Sequence, residues 1–217
     1  MAKLFVFDFH GVLEKGNERA VIKTSNAILE KFGYKERFTF EQIDKLYGKK
    51  WYQYFEELLP NEPHEKHIEL QNACVTFSIK NSEVIADCIE LNDNVHFILD
   101  KISKVHSQVL ISNMEPEALP IFLNSVKITK YFDEGNAIAI NAHKRELSKT
   151  KGDALREFVK GKKFDSFVFI GDSPQDLEPK KEFGGVTYMY AHPGREFKKC
   201  EADYYIRDLR DILKEIS

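Results

Sequence analysis

The sequence predicts an α/β fold: a three-layer, Rossmann-like core built on a parallel sheet, with a helical cap domain inserted into it. Three observations lead to this prediction. Apolar stretches typical of buried strands alternate with amphipathic helical patterns in the C-terminal part of the chain. An apolar run near the N-terminus, residues 4–7, ends directly at an aspartate. The segment that follows, residues 15–88, has helical periodicity and no convincing strand.

The N-terminal run Leu-Phe-Val-Phe at residues 4–7 is rich in β-branched and aromatic side chains, which predicts a buried strand. Asp8 follows it, and a protein core does not accept an unpaired carboxylate. Gly11 then allows the chain to turn. Because open parallel sheets bind ligands at the carboxyl ends of their strands, Asp8 is a candidate site residue. The alternative is a strand that simply ends at a solvated aspartate.

The segment after this strand contains three amphipathic helical patterns. Gly33 is a plausible C-cap of the first, and Pro60 stops the second. His64 and His67 can share a helix face near the start of the third, but no acidic or cysteine partner is apparent, so we expect a solvated pair. The three patterns cover residues 21–32, 51–59 and 65–79. The predicted domains are therefore a cap at 15–88 and a core formed by 1–14 and 89–217.

Beyond residue 89 the pattern alternates between strand and helix, which predicts a parallel sheet covered on both faces. Helices are predicted around residues 95–102, 121–122 and 152–159, with a closing helix at 209–216. Strands are predicted at 108–112, 137–140, 166–170, 186–190 and 203–206. We therefore expect the strong strands of this region to be neighbours of the N-terminal strand.

Polar side chains follow the strong strands of this predicted sheet. Ser112 and Asn113 end one strand, and Asp172 and Asp176 follow another, so they would gather with Asp8 at one edge. Carboxylates suit Mg²⁺, which takes oxygen ligands and is often held together with substrate phosphate. A hydroxyl can bind phosphate oxygens, and an aspartate can attack phosphorus. Each residue alone is more often structural, but their joint position favours a phosphate site.

A basic run, Lys149-Thr150-Lys151-Gly152, precedes the helix that lies between these two strands. One of its lysines could offset negative charge in a phosphoryl-transfer transition state. Lysines before helices are commonly solvated, and the pattern alone does not decide between Lys149 and Lys151.

In these motifs the sequence resembles the haloacid dehalogenase (HAD) superfamily, in its phosphatase-like branch with a helical cap after the first strand. The resemblance implies that Asp8 is the nucleophile and that Ser112 and Asn113 bind phosphate. It assigns Lys151, or alternatively Lys149, as the phosphate-binding lysine. It also implies a magnesium site formed by Asp8, His10 through its backbone carbonyl, Asp172 and Asp176, with Asp172 the favoured direct ligand.

One position departs from the family. Its phosphatases carry a second aspartate two residues after the nucleophile, as general acid and base, and here that residue is His10. General acid–base help is typically worth about 10²–10⁴-fold in rate, and an imidazole can provide it near neutral pH. A histidine that merely packs there would leave a silent protein that binds a phosphorylated ligand or partner. Dehalogenase chemistry is disfavoured because the acidic fourth motif is intact, and phosphonatase chemistry because the usual alanine is absent.

The resemblance therefore implies Mg²⁺-dependent hydrolysis of a small phosphate monoester through an aspartyl-phosphate. Substrate choice would fall to the cap, and the basic turn containing Gly48 and Lys49 is the candidate substrate-binding loop. A basic loop without any such role is an equally good interpretation of that turn. The physiological substrate and the oligomeric state have no signature in the sequence.

The composition narrows the class of protein further. With 42% hydrophobic and 31% charged residues, the chain has the balance of a globular domain. A formal net charge of −3 offers no global attraction for nucleic acid or an anionic membrane. The three cysteines have no metal-binding or redox spacing, and no signal peptide or membrane span is apparent. We therefore expect a cytoplasmic protein whose partner is a small phosphorylated molecule.

Overall fold

The computed structural model describes residues 2–133, 135–140 and 149–216. The chain divides into two compact units. The sheet unit comprises Met1–Lys15 and Glu90–Ser217, and the helical unit comprises Gly16–Ile89. Within the described ranges, no helix is both long enough and apolar enough to span a lipid bilayer.

A parallel six-stranded sheet forms the centre of the sheet unit, with strand order β5-β4-β1-β6-β7-β8. Its strands are β1 (Lys3–Phe7), β4 (Ser107–Asn113), β5 (Ala137–Ile140), β6 (Ser166–Gly171), β7 (Val186–Tyr190) and β8 (Tyr204–Ile206). A separate antiparallel pair joins β2 (Glu14–Lys15) to β3 (Glu90–Leu91). The predicted α/β fold with a parallel sheet is confirmed, and β1 lies centrally between β4 and β6.

The helical unit contains α1 (Asn17–Lys31), α2 (Phe40–Leu46), α3 (Trp51–Leu58), α4 (His64–Lys80) and α5 (Glu83–Ala86). Its apolar faces meet in a core that includes Ile28, Phe55 and Leu70. The three predicted helices are confirmed as α1, α3 and α4. Gly33, predicted as a C-cap, has φ of 81° just after α1, a conformation that glycine adopts without strain. The short helices α2 and α5 were not predicted.

Helices cover both faces of the sheet, namely α6 (Val95–Ser103), α7 (Leu119–Ser125), α8 (Lys151–Val159), α9 (Pro174–Leu177) and α10 (Lys180–Phe183). Leu4 and Val6 of β1 pack in one core cluster with Leu155 of α8. Phe7 contacts the Phe132 ring at a centroid distance of 6.5 Å. The segments Thr129–Tyr131 and Leu209–Ile216 are 3₁₀ helices, so the closing helix predicted for residues 209–216 is 3₁₀.

Candidate active site

Three carboxylates meet at the carboxyl edge of the central strands. Asp8 follows β1, and its backbone N–H donates to the Ile170 carbonyl of β6 at 3.0 Å. Asp172 directly follows β6, and Asp176 lies in α9. One carboxylate oxygen from each of Asp8, Asp172 and Asp176 lies within 4.8 Å of the other two. The adjacency of β1 and β6 thus brings together residues more than 160 positions apart in sequence.

Lys151 bridges two of these carboxylates. Its Nζ lies 2.6 Å from Oδ1 of Asp8 and 2.5 Å from Oδ1 of Asp176. All three side chains are buried, so little water screens the ion pairs. Lys149, the alternative lysine, instead pairs at the surface with Glu157 at 2.7 Å. The structure therefore brings Lys151, and not Lys149, to Asp8.

The start of helix α8 explains which lysine faces inward. Thr150 is its N-cap, and the Thr150 hydroxyl accepts a hydrogen bond from the Asp153 N–H at 3.1 Å. The Asp153 carboxylate accepts in return from the Thr150 N–H at 2.9 Å. This capping box starts the helix at Lys151. Lys149 thus lies outside the helix and remains exposed.

Burial and mutual repulsion control the protonation of the cluster. Burial and the charge of Asp176 raise the pKa of Asp8, although Lys151 opposes them. Burial alone would lower the pKa of Lys151, but the charges of Asp176 and Asp8 outweigh it and raise that pKa. Burial also raises the pKa of Asp172 to about 7, partly opposed by Lys198, whose Nζ lies 3.3 Å from Oδ2. The two lysines face three carboxylates, which leaves the cluster short of positive charge.

Asp176 is held from both sides. Its Oδ2 accepts hydrogen bonds from the Ser173 N–H at 2.8 Å and the Ser173 hydroxyl at 2.6 Å, while Oδ1 faces Lys151. Gly171 is needed because a Cβ there would overlap the Asp176 side chain. The oxygens of Asp172 have longer contacts, at 3.4 and 3.3 Å from Nζ of Lys198, so Asp176 has less freedom than Asp172 to coordinate an ion directly.

Ser112 and Asn113 end β4, next to β1. The Ser112 hydroxyl is 1% exposed and has no hydrogen-bond partner among the described residues. A buried hydroxyl without a partner is costly, and a phosphate oxygen would satisfy it. Asn113, in contrast, is exposed.

His10 lies in the turn after β1 and pairs with a carboxylate that was not predicted. Its Nδ1 lies 2.7 Å from Oε1 of Glu14, which is completely buried. The imidazole and the Phe122 ring form a T-shaped pair at a centroid distance of 4.9 Å. A buried carboxylate on one side and an aromatic ring on another restrict the orientation of this histidine.

Asn92 ties this turn to the chain segment after β3. Its buried side-chain amide donates to the backbone carbonyls of Val12 at 2.9 Å and Glu14 at 3.2 Å. The Asn92 backbone N–H donates to the Leu13 carbonyl at 3.0 Å. These bonds fix the segment that carries His10 and Glu14.

The donor set of the carboxylate cluster suits a hard divalent cation. Asp8, Asp172 and Asp176 offer only oxygen ligands, which Mg²⁺ prefers, and the carboxylates outnumber the two lysines that face them. The residues present therefore fit the metal that the sequence predicts.

The predicted substrate-binding residues of the helical unit lie in the turn between α2 and α3. Gly48 has φ of 91°, which favours glycine at that position. Lys49 is half-exposed, and its Nζ lies 3.8 Å from Oε2 of Glu57. Their role in substrate binding stays a prediction.

Three residues at the site escaped the sequence interpretation: Glu14, Asn92 and Lys198. Glu14 had a local signal, because an acidic residue lies four positions after His10, directly after Val12 and Leu13. Lys198 lies in the loop after β7, the strand next to β6, so strand order would point to it. Asn92 had no local signal, since its partners lie about 80 positions earlier.

The family profile of haloacid dehalogenase-like hydrolases matches residues 5–189. The match begins within β1 and includes the helical unit, the strand that carries Ser112 and the strand that Asp172 follows. The chain belongs to the haloacid dehalogenase-like hydrolase family. No curated protein matches the sequence significantly.

Solved structures share this fold at low sequence identity. One is similar to the chain with a TM-score of 0.78 at 15% identity: a predicted phosphoglycolate phosphatase from Haemophilus somnus, with 100% of this chain and 98% of that one covered. A haloacid dehalogenase-like hydrolase from Streptococcus pneumoniae has a TM-score of 0.73 at 13% identity, and the alignment covers 100% of this chain and 99% of that one. A subfamily IA hydrolase of the HAD superfamily from Geobacter sulfurreducens has a TM-score of 0.72 at 19% identity, and the alignment covers 100% of this chain and 97% of that one. At these identities the likeness establishes the fold alone.

Proposed function

We propose that this protein is a Mg²⁺-dependent phosphatase that hydrolyses small phosphate monoesters through an aspartyl-phosphate on Asp8. The observation that carries the proposal is the buried contact of Lys151 with both Asp8 and Asp176 at the end of the central strand. The phosphatase name of the relative from Haemophilus somnus agrees with a small phosphorylated substrate.

The substrate phosphate would be bound by Ser112, Asn113 and Lys151. The Ser112 hydroxyl is a buried polar group without a partner among the described residues, so it can donate to a phosphate oxygen. The ammonium of Lys151 is adjacent to Asp8 and can stabilise negative charge that develops on the transferring group.

The cation would be held by Asp8 and Asp172, with the backbone carbonyl of His10 as the family resemblance implies. Asp176 would position Lys151, because its carboxylate oxygens already accept short hydrogen bonds from Lys151 and Ser173. When bound, Mg²⁺ supplies charge neutralisation between the carboxylates and the incoming phosphate.

The reaction proceeds in two displacements at phosphorus. In the first, a carboxylate oxygen of Asp8 forms a bond to phosphorus, and the bond from phosphorus to the ester oxygen breaks. The leaving oxygen takes a proton from the His10 imidazolium and departs as an alcohol. In the second, water attacks phosphorus and gives a proton back to His10. The bond to Asp8 breaks, which releases phosphate and restores the carboxylate.

Glu14 gives His10 the orientation that this role requires. A Glu14 carboxylate that accepts the Nδ1 proton leaves Nε2 to exchange protons with the leaving oxygen and with water. The pair would thus take over the work of the family's second aspartate.

We assign substrate selection to the helical unit, with the turn of Gly48 and Lys49 as the contact to the leaving group. Cap closure excludes water from such reactions. Replacement of Lys49 by Ala should therefore raise KM for anionic substrates and leave the preference for Mg²⁺ unchanged.

A panel of phosphomonoesters assayed with Mg²⁺ tests the function. The wild type should release phosphate, and Asp8→Asn should not, although Asn preserves the size of the side chain. A wild type that is silent on the whole panel, together with a His10→Asp variant that gains activity, would instead identify a binding protein that has lost turnover.

A further inference from the structure

We propose that the helical unit carries a second metal site, formed by Glu56, His64 and His67, which binds a borderline transition metal of the Zn²⁺ type. One ligand atom from each of these side chains lies within 4.8 Å of the other two. The proposal does not depend on the phosphatase function, because none of these residues belongs to the carboxylate cluster of the sheet unit.

The local chain path brings the three side chains together. Glu56 lies in the last turn of α3, and His64 and His67 lie in the first turns of α4. A spacing of three residues puts both histidines on one face of a helix. The short connection between the two helices then returns this face to Glu56. The sequence interpretation found no acidic partner for the histidines, and the structure supplies one.

His67 has the arrangement of a metal ligand. It is 4% exposed, contrary to the solvated pair expected from sequence, and its Nε2 lies 2.9 Å from the Leu59 carbonyl. A carbonyl only accepts hydrogen bonds, so Nε2 carries the proton and Nδ1 has a free lone pair. Nδ1 is buried and has no hydrogen-bond partner among the described residues. Histidine ligands of metals characteristically donate their other N–H to a backbone carbonyl or a carboxylate.

Glu56 and His64 are already about as close to each other as two ligands of one metal ion. Oε1 of Glu56 lies 2.9 Å from Nδ1 of His64. Two ligands that bind zinc at about 2.0–2.1 Å in tetrahedral geometry lie about 3.3 Å apart. Without metal, the pair can share a proton; with metal, His64 gives up that proton and both atoms bind the ion. Both side chains are partly exposed, 37% for His64 and 39% for Glu56, so they can adjust.

The donor set selects the metal class. Two imidazole nitrogens and one carboxylate suit Zn²⁺ and its neighbours in the transition series, whereas Mg²⁺ prefers oxygen ligands alone. Three protein ligands leave a fourth position for water or an added ligand. The ion would join the end of α3 to the start of α4.

Metal titration of the full chain tests the site. Zn²⁺ is added in the presence of excess Mg²⁺, which keeps the carboxylate cluster occupied. We expect one equivalent of Zn²⁺ to bind and to raise the unfolding temperature. Long-range ¹H–¹⁵N spectra should show the Nδ1 resonance of His67 move when the metal binds.

We expect variants at the two partly exposed ligands, His64 and Glu56, to keep the fold intact. His64→Ala should weaken Zn²⁺ binding by about 100-fold or more, and Glu56→Gln by about 10- to 100-fold. The matched control is His96→Ala, which removes an exposed histidine of α6 and should bind Zn²⁺ like the wild type. In chelator, all variants should unfold near the wild-type temperature. Equal Zn²⁺ affinity in the wild type and His64→Ala, or an unmoved His67 resonance, would overturn the proposal.

Discussion

Nδ1 of His10 lies 2.7 Å from Oε1 of Glu14, a carboxylate without solvent exposure. The family resemblance assigns the position of His10 to the general acid and base. The pairing supplies what a histidine needs for that work, namely one fixed nitrogen and a nearby negative charge. A histidine that only filled space would have no need of a buried carboxylate, which is costly to bury without a partner.

Removal of this pair should affect turnover more than substrate binding. His10→Ala should lower kcat by about 10²–10⁴-fold, the usual contribution of a positioned acid or base. Glu14→Gln should lower kcat by a smaller factor, because the imidazole remains but loses the charge that orients and stabilises it. KM should change little in either variant.

Turnover compared with stability separates positioning from mere packing. Glu14→Gln should lower kcat even under conditions where the protein is fully folded, because the imidazole loses the partner that orients it. A Glu14→Gln variant with reduced stability and an unchanged kcat would show that Glu14 has only a structural role.

The raised pKa of Asp172, about 7, makes the stability of the metal-free protein depend on pH. The folded state holds this proton more tightly than the unfolded state, where the carboxyl has its usual value. The contribution of protonated Asp172 to stability is therefore fully present at low pH and is lost as the pH rises through about 7. Asp172→Asn cannot ionise, so it should unfold at a higher temperature than the wild type at pH 8 and gain little at pH 4.

Mg²⁺ should raise the unfolding temperature of the wild type above that of Asp172→Asn at pH 8, because only the ionised carboxylate binds the cation. Thermal unfolding with and without Mg²⁺ at both pH values is the measurement. The wild type should gain stability from Mg²⁺ more strongly at pH 8 than at pH 4, and Asp172→Asn should gain little at either pH. Identical Mg²⁺ responses of the two proteins would remove Asp172 from the metal site.

Gly171 should tolerate no side chain, because a Cβ there would overlap Asp176. Gly171→Ala should cost about 1–3 kcal/mol of unfolding free energy, as overpacked sites do. It should also impair turnover by displacing Asp176 from Lys151.

The chain offers a matched control at Gly152, inside α8. A Cβ there would meet only the Thr150 Oγ1 at 3.5 Å, an ordinary contact. Gly152→Ala should therefore be neutral or stabilise the protein by about 0.5–1 kcal/mol, since glycine is unfavourable within a helix. Denaturant unfolding of both variants measures the difference, and equal losses would show that the Gly171 contact is unimportant.

The strand pattern and its end residues were predictable because they depend on local chemistry. The run at residues 4–7 and the aspartate after it indicated β1, and the alternation of strand and helix indicated a parallel sheet. The choice between Lys151 and Lys149 was left open by the sequence interpretation, although a local signal was present that it did not use: Thr150 and Asp153 have the spacing of a capping box, which the structure contains. That signal identifies the first residue of the helix.

Contacts between distant segments were beyond local patterns. Lys198 reaches Asp172 only because β7 lies beside β6, and Asn92 reaches Val12 only once the chain returns after the helical unit. Glu56 is likewise a partner of His64 only through the turn between α3 and α4. Side-chain partners of this kind depend on tertiary structure, which composition and periodicity do not specify.

Capture of the phosphorylated intermediate tests the central claim most directly. The protein is mixed with Mg²⁺ and a phosphomonoester that it hydrolyses. The reaction is then quenched in acid, and the protein is digested for mass spectrometry. We predict one phosphoryl group on the peptide that contains Asp8, formed in the wild type and absent in Asp8→Asn. Phosphate release by the wild type with no phosphoryl group at Asp8, or equal release by Asp8→Asn, would contradict the account.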